Sequence, residues 1–579
     1  MTMRRLFWML AVVLGGAQTW YTRHRIFSDG ISYLEIAQKY ASGDWHGALN
    51  AYWSPLYSWA IAAYLLVFRP APYWEVSALH VINFSAFLGS CWVFERFLRE
   101  LIALRPEGLA GLSARTLMAA GYVAILHAGL LMVGIGYVSP DMIALFLTGA
   151  AAWLTLRLGQ GWFAFVALGV VFGAGYLDRT AFAPWGAISL LTLAVLKRRC
   201  VWKLAASGLC FAAVAAPFAI AISMQKGYLT LGESGKLSYG WEVDGAARSI
   251  DWQGEPGDIG RPAHPARKVL ETPVPVYEFA EPVGGSYPPW YDPSYWYEGI
   301  RPGLKPAAQL GALWRNTLTT GFYAATSPGF LILLSAIAMA SLRWRAVRWE
   351  LAIPAAAGIG MYCLVFVDKR YLAGFFAVLP VTLLAGVSVS SGRFGAYLDR
   401  VAMGLCVLFT AALGVWLFHP LATAATDLKH GREGEANVSW MLARKFMELG
   451  VKPGERIGYV GAGMEADWVR LAGARIVAEV PVVYRRHPGI QQVVDPNIEY
   501  PTKFFALDEE AREGVYAAFR HAGAAIAVTP TIPAGGKAGD WKAVLDPNGP
   551  GYPKGAGQVL EQSPAYYRWL EPRTEGRTR

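Results

Sequence analysis

Ser54-Pro55-Leu56-Tyr57-Ser58-Trp59-Ala60-Ile61-Ala62-Ala63-Tyr64-Leu65-Leu66-Val67-Phe68 is the stretch whose reading decides the topology of this chain. It is apolar enough to suggest a membrane span, yet shorter than the roughly 20 residues that a bilayer core of about 30 Å demands. Trp53, Tyr57, Trp59 and Tyr64 give it the aromatic, amphipathic character of a helix lying in the interface. The other apolar runs are expected to span at 5–20, 74–97, 116–137, 141–158, 161–177, 181–197, 204–224, 321–342, 350–368, 371–391 and 401–418, about eleven helices in all. With 54–68 in the interface, Arg4/Arg5, Arg96/Arg99/Arg105/Arg115, Arg157, Lys197/Arg198/Arg199/Lys203, Arg343/Arg345/Arg348 and Arg393/Arg400 all fall on one side. With 54–68 as a span, the sets after it fall on the other side. The positive-inside rule selects the interfacial reading and makes the arginine-rich side cytoplasmic.

Composition agrees with a membrane class. Of 579 residues, 54% are hydrophobic and 16% charged, against about a quarter charged in soluble domains. The net charge of +10 is gathered in short segments between apolar runs, as topology-setting charge is, so no nucleic-acid partner is expected. Cys91, Cys200, Cys210, Cys363 and Cys406 sit in or beside apolar runs without a C-x-x-C or Cys/His spacing, which argues against a disulfide framework or a zinc site. Arg4 and Arg5 before an apolar run resemble a signal peptide, but no small-residue cleavage site follows, and an uncleaved first span is the better reading.

The same assignment places 21–73, a turn at 138–140, a turn at Asp178 to Thr180, the loop 225–320, the turn Asp368 to Arg370 and the tail from His419 on the opposite, periplasmic face. Asp29 is placed like a helix N-cap, with Tyr33, Ile36 and Tyr40 on the face below it. The loop 225–320 is rich in Pro, Gly and aromatics, densest from Tyr287 to Tyr297, and its prolines disfavour long regular structure. Trp290 and Trp296, like Tyr33 and Trp53 in the first loop, offer flat apolar faces with a polar tip, suited to sugar rings or a lipid boundary; a packed lid without a ligand is the alternative.

The tail, 421–579, reads as a separate small α/β, Rossmann-like domain with strands at Glu455 to Val460, Arg475 to Val480 and Ala524 to Thr529. Gly461, Gly463 and Glu479 imitate a dinucleotide fingerprint, but a tight strand-to-helix turn without a nucleotide is the preferred reading. The expected fold is thus mainly α: a polytopic helix bundle over 1–420, with periplasmic loops 21–73 and 225–320, followed by this domain.

Acidic residues at a membrane boundary are costly and read as functional by default. Asp29 and Asp141 share the outer face, where one carboxylate serves as a general base and the other as an electrostatic or metal-binding partner. Asp141 also reads as a helix-start acid after Pro140, favourable to the helix dipole. Asp178-Arg179-Thr180 and Asp368-Lys369-Arg370-Tyr371 add two cationic clusters suited to an anionic phosphate, or else snorkelling anchors and ion pairs with their neighbouring acids.

Here the motifs reach a known family. An N-terminal span, an Asp-led helix ending in Gly43-Asp44-Trp45 and an aromatic-Pro segment resemble the first periplasmic loop of GT-C fold glycosyltransferases. The similarity is to glycosyltransferase family 39 and its bacterial relatives, including protein O-mannosyltransferases and the lipid A aminoarabinose transferase. Ser139-Pro140-Asp141 resembles the second acidic site, and Lys369-Arg370-Tyr371-Leu372 ending at Pro380 resembles the Arg-Tyr-Leu-to-Pro element near the donor phosphate. Arg179 sits where relatives carry a basic residue. The chain departs where many relatives have Asp-Glu, here Asp29-Gly30, and a Lys-Pro-Pro element, here Trp53-Ser54-Pro55.

The resemblance implies transfer of a sugar from a polyprenyl-phosphate donor to an envelope glycan, lipid or protein acceptor outside the bacterial cytoplasmic membrane. Asp29 would deprotonate the acceptor. Asp141 would orient it or share a divalent cation (Mg or Mn) with Asp29. Arg179, Lys369, Arg370 and Tyr371 would hold the donor phosphate, and Tyr33, Trp53, Trp290 and Trp296 the substrates. A lipid-linked sugar transporter and a non-catalytic envelope-assembly protein are the rival classes; the absence of an internal repeat and the placement of charge at one surface speak against the first.

Overall fold

The computed structural model describes residues 2–106, 111–248, 250, 252–254, 259–279, 281–389, 392–430, 437–482, 499–545 and 565–571. Each expected span other than 321–342 corresponds mainly to one helix, and 321–342 falls on parts of two. In chain order these are Met3–Tyr21, Glu75–Ala103, Ala114–His127, Asp141–Leu156, Trp162–Asp178, Phe182–Leu196, Val201–Lys226, Pro328–Met339, Trp349–Cys363, Lys369–Leu384 and Gly392–Trp416. Among the described residues, four helices are individually long and apolar enough to cross a membrane, or five when a bent pair is taken as one span. Shorter apolar helices lie packed among them, and the chain is a multi-pass membrane protein.

The run 54–68 forms one helix, Pro55–Phe68, with Pro55 in its first turn and Arg69 at the left-handed C-cap. Its 14 residues extend about 21 Å, less than a bilayer core. The amphipathic reading is corrected. Tyr57, Ile61 and Ala62 are buried, while Leu66, Val67 and Phe68 are 55%, 73% and 65% exposed, so the helix is apolar on all sides. It packs on the helix Ser28–Ala41 and the end of Trp162–Asp178.

The expected span 321–342 is also corrected. The chain forms a 21-residue helix Pro306–Thr326, then turns by 81° into Pro328–Met339. Pro306 and Pro328 both occupy first-turn positions, where a missing N–H costs nothing. Prolines therefore start regular structure at the end of the 225–320 loop rather than preventing it. Close helix packing is clearest between Trp162–Asp178 and Val201–Lys226: a Cβ at Gly173 would stand 2.5 Å from Val214. Small residues of this kind let membrane helices approach without a hydrophobic driving force.

The C-terminal α/β region carries a sheet that also takes strands from the 225–320 loop. Its seven-stranded sheet has the order β1-β2-β6-β5-β7-β9-β8. The strands β5 (Arg456–Val460), β6 (Arg475–Val480), β7 (Ile526–Thr529), β8 (Lys542–Ala543) and β9 (Tyr566–Trp569) come from the tail. The strands β1 (Arg267–Leu270) and β2 (Val276–Glu278) come from the 225–320 loop. A short antiparallel pair, β3 (Ser341–Leu342) and β4 (Val387–Ser388), stands apart from this sheet. The centre β6-β5-β7 is parallel and buried on both faces, as parallel sheets are, and β2 joins β6 antiparallel with Tyr277 opposite Glu479. One aromatic core runs from Tyr33, Trp53 and Tyr57 through Trp290 and Trp296 to Phe446 and Ile476, so loops and tail fold as one unit.

Val276 is fully buried on the face of the sheet that packs against Phe504, Phe505 and Phe519. Val276→Asp is expected to cost about 3 kcal/mol or more by placing an unpaired charge there. Limited proteolysis of the purified full chain should then cut first within the C-terminal part, leaving the helical part intact.

Candidate functional site

Asp29 lies in the first turn of Ser28–Ala41, but it does not cap the helix: Phe27 is the N-cap and makes no side-chain bond there. The carboxylate is turned instead toward Trp290, whose indole N–H donates to Oδ1 at 3.2 Å, and toward Arg370, whose Nη2 is 3.6 Å from Oδ2. Asp141 begins its helix behind Pro140 as expected. Its carboxylate is 2% exposed at the residue level and has three partners: the Ser139 hydroxyl at 2.7 Å, Arg370 Nη1 at 3.4 Å and Arg179.

Arg370 is thus the hub. It faces Asp29, Asp141 and Asp368, the last at 3.4 Å, and its guanidinium lies 4.3 Å from the Tyr137 ring and 5.0 Å from the Tyr371 ring. Asp368 also caps the helix Lys369–Leu384 by accepting the Arg370 backbone N–H at 3.1 Å. The cap fixes the first turn, which turns residue 370 inward and residue 369 outward: Lys369 is exposed, away from the cluster. Arg179 lies 4.3 Å above Tyr371, which stacks on Tyr362 at 5.3 Å. Arg179 pairs with Asp141 rather than with its neighbour Asp178, whose fully buried carboxylate has no hydrogen-bond partner among the described residues.

One cavity opens from this cluster and a second adjoins the first. One, of about 360 Å³, runs between the helices from Asp141, Arg179 and Arg370 past Tyr362 and Tyr371. A second, of about 340 Å³, shares Thr148, Trp185 and Phe375 with the first and continues among Ala151, Leu351 and Val378 to Glu350. The slot is cationic and aromatic at one end and mostly apolar along its length.

A third cavity, of about 620 Å³, lies between the 225–320 loop and the C-terminal sheet, lined by Arg248, Trp252, Trp290, Trp296, Tyr297 and Met464 among others. Trp290 lines this chamber and bonds Asp29, so it stands between the chamber and the charged cluster. Arg248 lies over Trp241 and Trp290, 5.1 and 5.4 Å from their centroids, and 3.6 Å from Glu242. Trp296 anchors its indole on the Pro288 carbonyl. Tyr33 and Trp53 are packing residues here: they meet edge to face at 5.0 Å, and the Trp53 indole bonds the Trp290 carbonyl. The geometry gives these two no open face for a substrate.

The glycine turn of the tail is closed from within. Glu479 accepts the Gly463 N–H at 3.0 Å and the Tyr287 hydroxyl at 2.6 Å, so the carboxylate occupies the donors that a phosphate would need. A Cβ at Gly463 would stand 2.9 Å from the Tyr287 ring. The helix that follows, Asp467–Leu471, has only five residues.

The residues do not suit a divalent cation. Both candidate carboxylates are engaged by guanidinium groups, and no group of three or more metal-ligating side chains occurs among the described residues. Sequence reasoning missed Tyr137, Tyr362 and Ser139 as members of the cluster, although Tyr137 and Ser139 adjoin Pro140-Asp141. It also missed Glu465, in the turn Gly463–Glu465, whose carboxyl is pushed up to about 7 by burial and by the carboxylates of Asp29 and Asp467.

A raised carboxyl pKa favours the folded state at low pH. The contribution is complete below the ordinary value near 4.5 and is lost as the pH rises through about 7. Glu465→Gln abolishes this titration. Its melting temperature in detergent is therefore expected to exceed that of the wild type by about 1 to 2 °C at pH 8, with the gap closing toward pH 5.

The fold and the site define a class: a polytopic membrane protein with a charged cluster at one end of an intramembrane slot, roofed by an α/β unit. No protein-family model matches the chain. No curated protein matches it either. Among solved structures, it is similar to ArnT from Cupriavidus metallidurans bound to undecaprenyl phosphate, at 13% identity and a TM-score of 0.45, over 80% of this chain and 84% of that one. The apo form of the same protein gives 14% identity and a TM-score of 0.44, with the same shares. The Archaeoglobus fulgidus oligosaccharyltransferase tethered with an acceptor peptide gives 14% and 0.44, over 90% of this chain and 69% of that one.

Proposed function

We propose that the chain is a membrane glycosyltransferase that moves a sugar from a polyprenyl-phosphate donor to an acceptor on the periplasmic side of the bacterial cytoplasmic membrane. The observation that carries this reading is the slot: two arginines at its head and, below them, two adjoining cavities with mostly apolar walls. A ligand complementary to it has an anionic head and a long apolar tail. Arg179 and Arg370 hold the phosphate, with Tyr371 beneath both, and Lys369, turned outward, takes no part. The site of attack then lies at Asp29, between the slot and the aromatic chamber.

Asp29 takes the proton of the acceptor hydroxyl as its oxygen bonds the anomeric carbon. The bond from that carbon to the phosphate oxygen breaks, and its electron pair leaves with the polyprenyl phosphate. Fixed cations facing the departing phosphate lower the barrier because they are already oriented where charge develops. Asp141 is engaged by Ser139, Arg179 and Arg370. Its part in this reading is to hold Arg179 and Arg370 in place. Arg370 also masks Asp29 until a phosphate draws on it, so the base is released when donor is bound.

The test is binding of undecaprenyl phosphate to the purified full chain, followed by native mass spectrometry, beside sugar transfer to the glycoconjugate that is lost when the protein is deleted. Binding that Ala151→Trp blocks in the apolar bore is the expected result. Transfer retained in both Asp29→Asn and Asp141→Asn would overturn the enzyme reading. Loss of lipid-linked sugar translocation in vesicles with transfer intact would favour a transporter.

A further inference from the structure

The aromatic chamber of about 620 Å³ has the size of a small-molecule pocket, and its walls keep two hydrogen-bond donors open. Among the described residues, three tryptophans line it. Trp290 gives its indole N–H to Asp29, and Trp296 gives its own to the Pro288 carbonyl. Trp252 is 3% exposed, and its N–H has no hydrogen-bond partner among the described residues. The Trp252 ring is nevertheless fixed. It stacks on Tyr297 at 5.1 Å with 9° between the planes, and the Tyr297 hydroxyl donates to the Ala247 carbonyl at 2.7 Å. A buried donor is costly to leave unpaired, so one held rigidly on a cavity wall points to an acceptor atom in the cavity. Arg248 is the second donor. It lies over the Trp290 ring, and its ion pair with Glu242 is 3.6 Å, longer than a hydrogen bond, which leaves guanidinium N–H groups for a ligand. The carboxylate on the wall, Glu479, already accepts the Gly463 N–H and the Tyr287 hydroxyl. A cation, a neutral donor and flat apolar faces together are complementary to a ring that carries an anionic oxygen.

We propose that the chamber binds an acidic saccharide, a sugar ring bearing a carboxylate or a phosphate. Arg248 holds the anionic group, the Trp252 N–H donates to a sugar oxygen, and the apolar face of the ring lies on Trp290. The part of this ligand in the reaction rests on the transferase reading above: it is the portion of the acceptor that the protein recognises. Trp290 lines the chamber and bonds Asp29, so an occupied chamber is one side chain away from the reacting centre. Binding energy gained there, remote from the reacting hydroxyl, is available to hold the acceptor in place for transfer.

The experiment is saturation-transfer difference NMR on the purified full chain in detergent, with galacturonate, glucose 6-phosphate, glucose, methyl phosphate and benzoate as probes. Galacturonate or glucose 6-phosphate is expected to bind, and the tighter of the two tells a carboxylate from a phosphate. Glucose, methyl phosphate and benzoate should each bind at least roughly 10-fold more weakly, since each lacks the charge or the sugar ring. Arg248→Gln is expected to weaken the acidic sugar by roughly 10- to 100-fold, the size of a charge-assisted hydrogen bond, and to abolish its preference over glucose. Trp252→Phe keeps the stack on Tyr297 and removes only the N–H, for a loss of roughly 3- to 10-fold. Wild-type melting temperatures show that both variants are folded, and Arg248→Lys, which keeps the charge, should retain part of the affinity. The proposal is overturned if no acidic sugar binds, or if glucose, methyl phosphate or benzoate binds as tightly. Acidic-sugar binding unchanged in Arg248→Gln or in Trp252→Phe overturns it as well, because the anion is then held elsewhere. Asp29→Asn separates this site from the transferase reading. Wild-type transfer by Asp29→Asn beside acidic-sugar binding that depends on Arg248 leaves the site and removes its part in transfer. Transfer that depends on Asp29 without any acidic-sugar binding removes the site alone.

Discussion

Arg370→Ala is expected to lower sugar transfer by about 10²- to 10³-fold, the size seen when one preorganised charge-stabilising donor is removed from an active site. Two losses combine in that variant. The slot keeps Arg179 but loses the cation that bridges its head to Asp29. Asp141, with a side chain 1% exposed, keeps the Ser139 hydroxyl and Arg179 but loses its second guanidinium. Breaking a buried pair by removing one partner costs about 3 to 5 kcal/mol when nothing replaces it, and Arg179 will absorb part of that. The comparison that isolates catalysis is Arg370→Lys. It keeps the charge, but a lysine ammonium is a point charge and cannot span three carboxylates as the planar guanidinium does. Arg370→Lys should therefore fold as the wild type does, judged by its melting temperature, and still transfer far more slowly. A lysine variant with wild-type turnover would show that the bridging geometry is unnecessary.

Asp29→Asn is the second large effect. The side chains are isosteric, and the amide oxygen still accepts the Trp290 indole N–H, so the fold should be undisturbed. What is lost is the base, for which about 10²- to 10⁴-fold in rate is the ordinary range. The variant also removes one counter-charge from Arg370, so the lipid phosphate has less to displace. Undecaprenyl phosphate should therefore bind Asp29→Asn at least as tightly as the wild type while transfer falls. Weaker binding in parallel with lost transfer would mean that Asp29 supports the slot rather than the reaction.

Much of the candidate site is legible in the amino-acid sequence. The distribution of arginines alone gathers Asp29, Asp141, Arg179 and Arg370 on one face, and the fold brings all four into one cluster. Lys369 is not separable from Arg370 in sequence. Only the Asp368 cap, which sets the phase of the helix, turns one inward and leaves the other exposed. The aromatic residues are sorted the same way. Trp290 and Trp296 line the chamber, while Tyr33 and Trp53 pack beneath it, because flat apolar area serves a core as well as a ligand.

The run 54–68 shows where each level of information ends. Its length and the arginines around it are what the sequence offers for reading it as interfacial, since helix rise and bilayer thickness are fixed quantities. Its amphipathic character is an inference from aromatic residues, and tertiary packing decides otherwise: the buried side is whichever side meets the helix carrying Asp29. The 81° turn before Pro328 and the two loop strands in the C-terminal sheet are likewise decided only by the fold. Sidedness follows from charge along the chain, which is local. Which residues touch across hundreds of positions follows from packing, which is not.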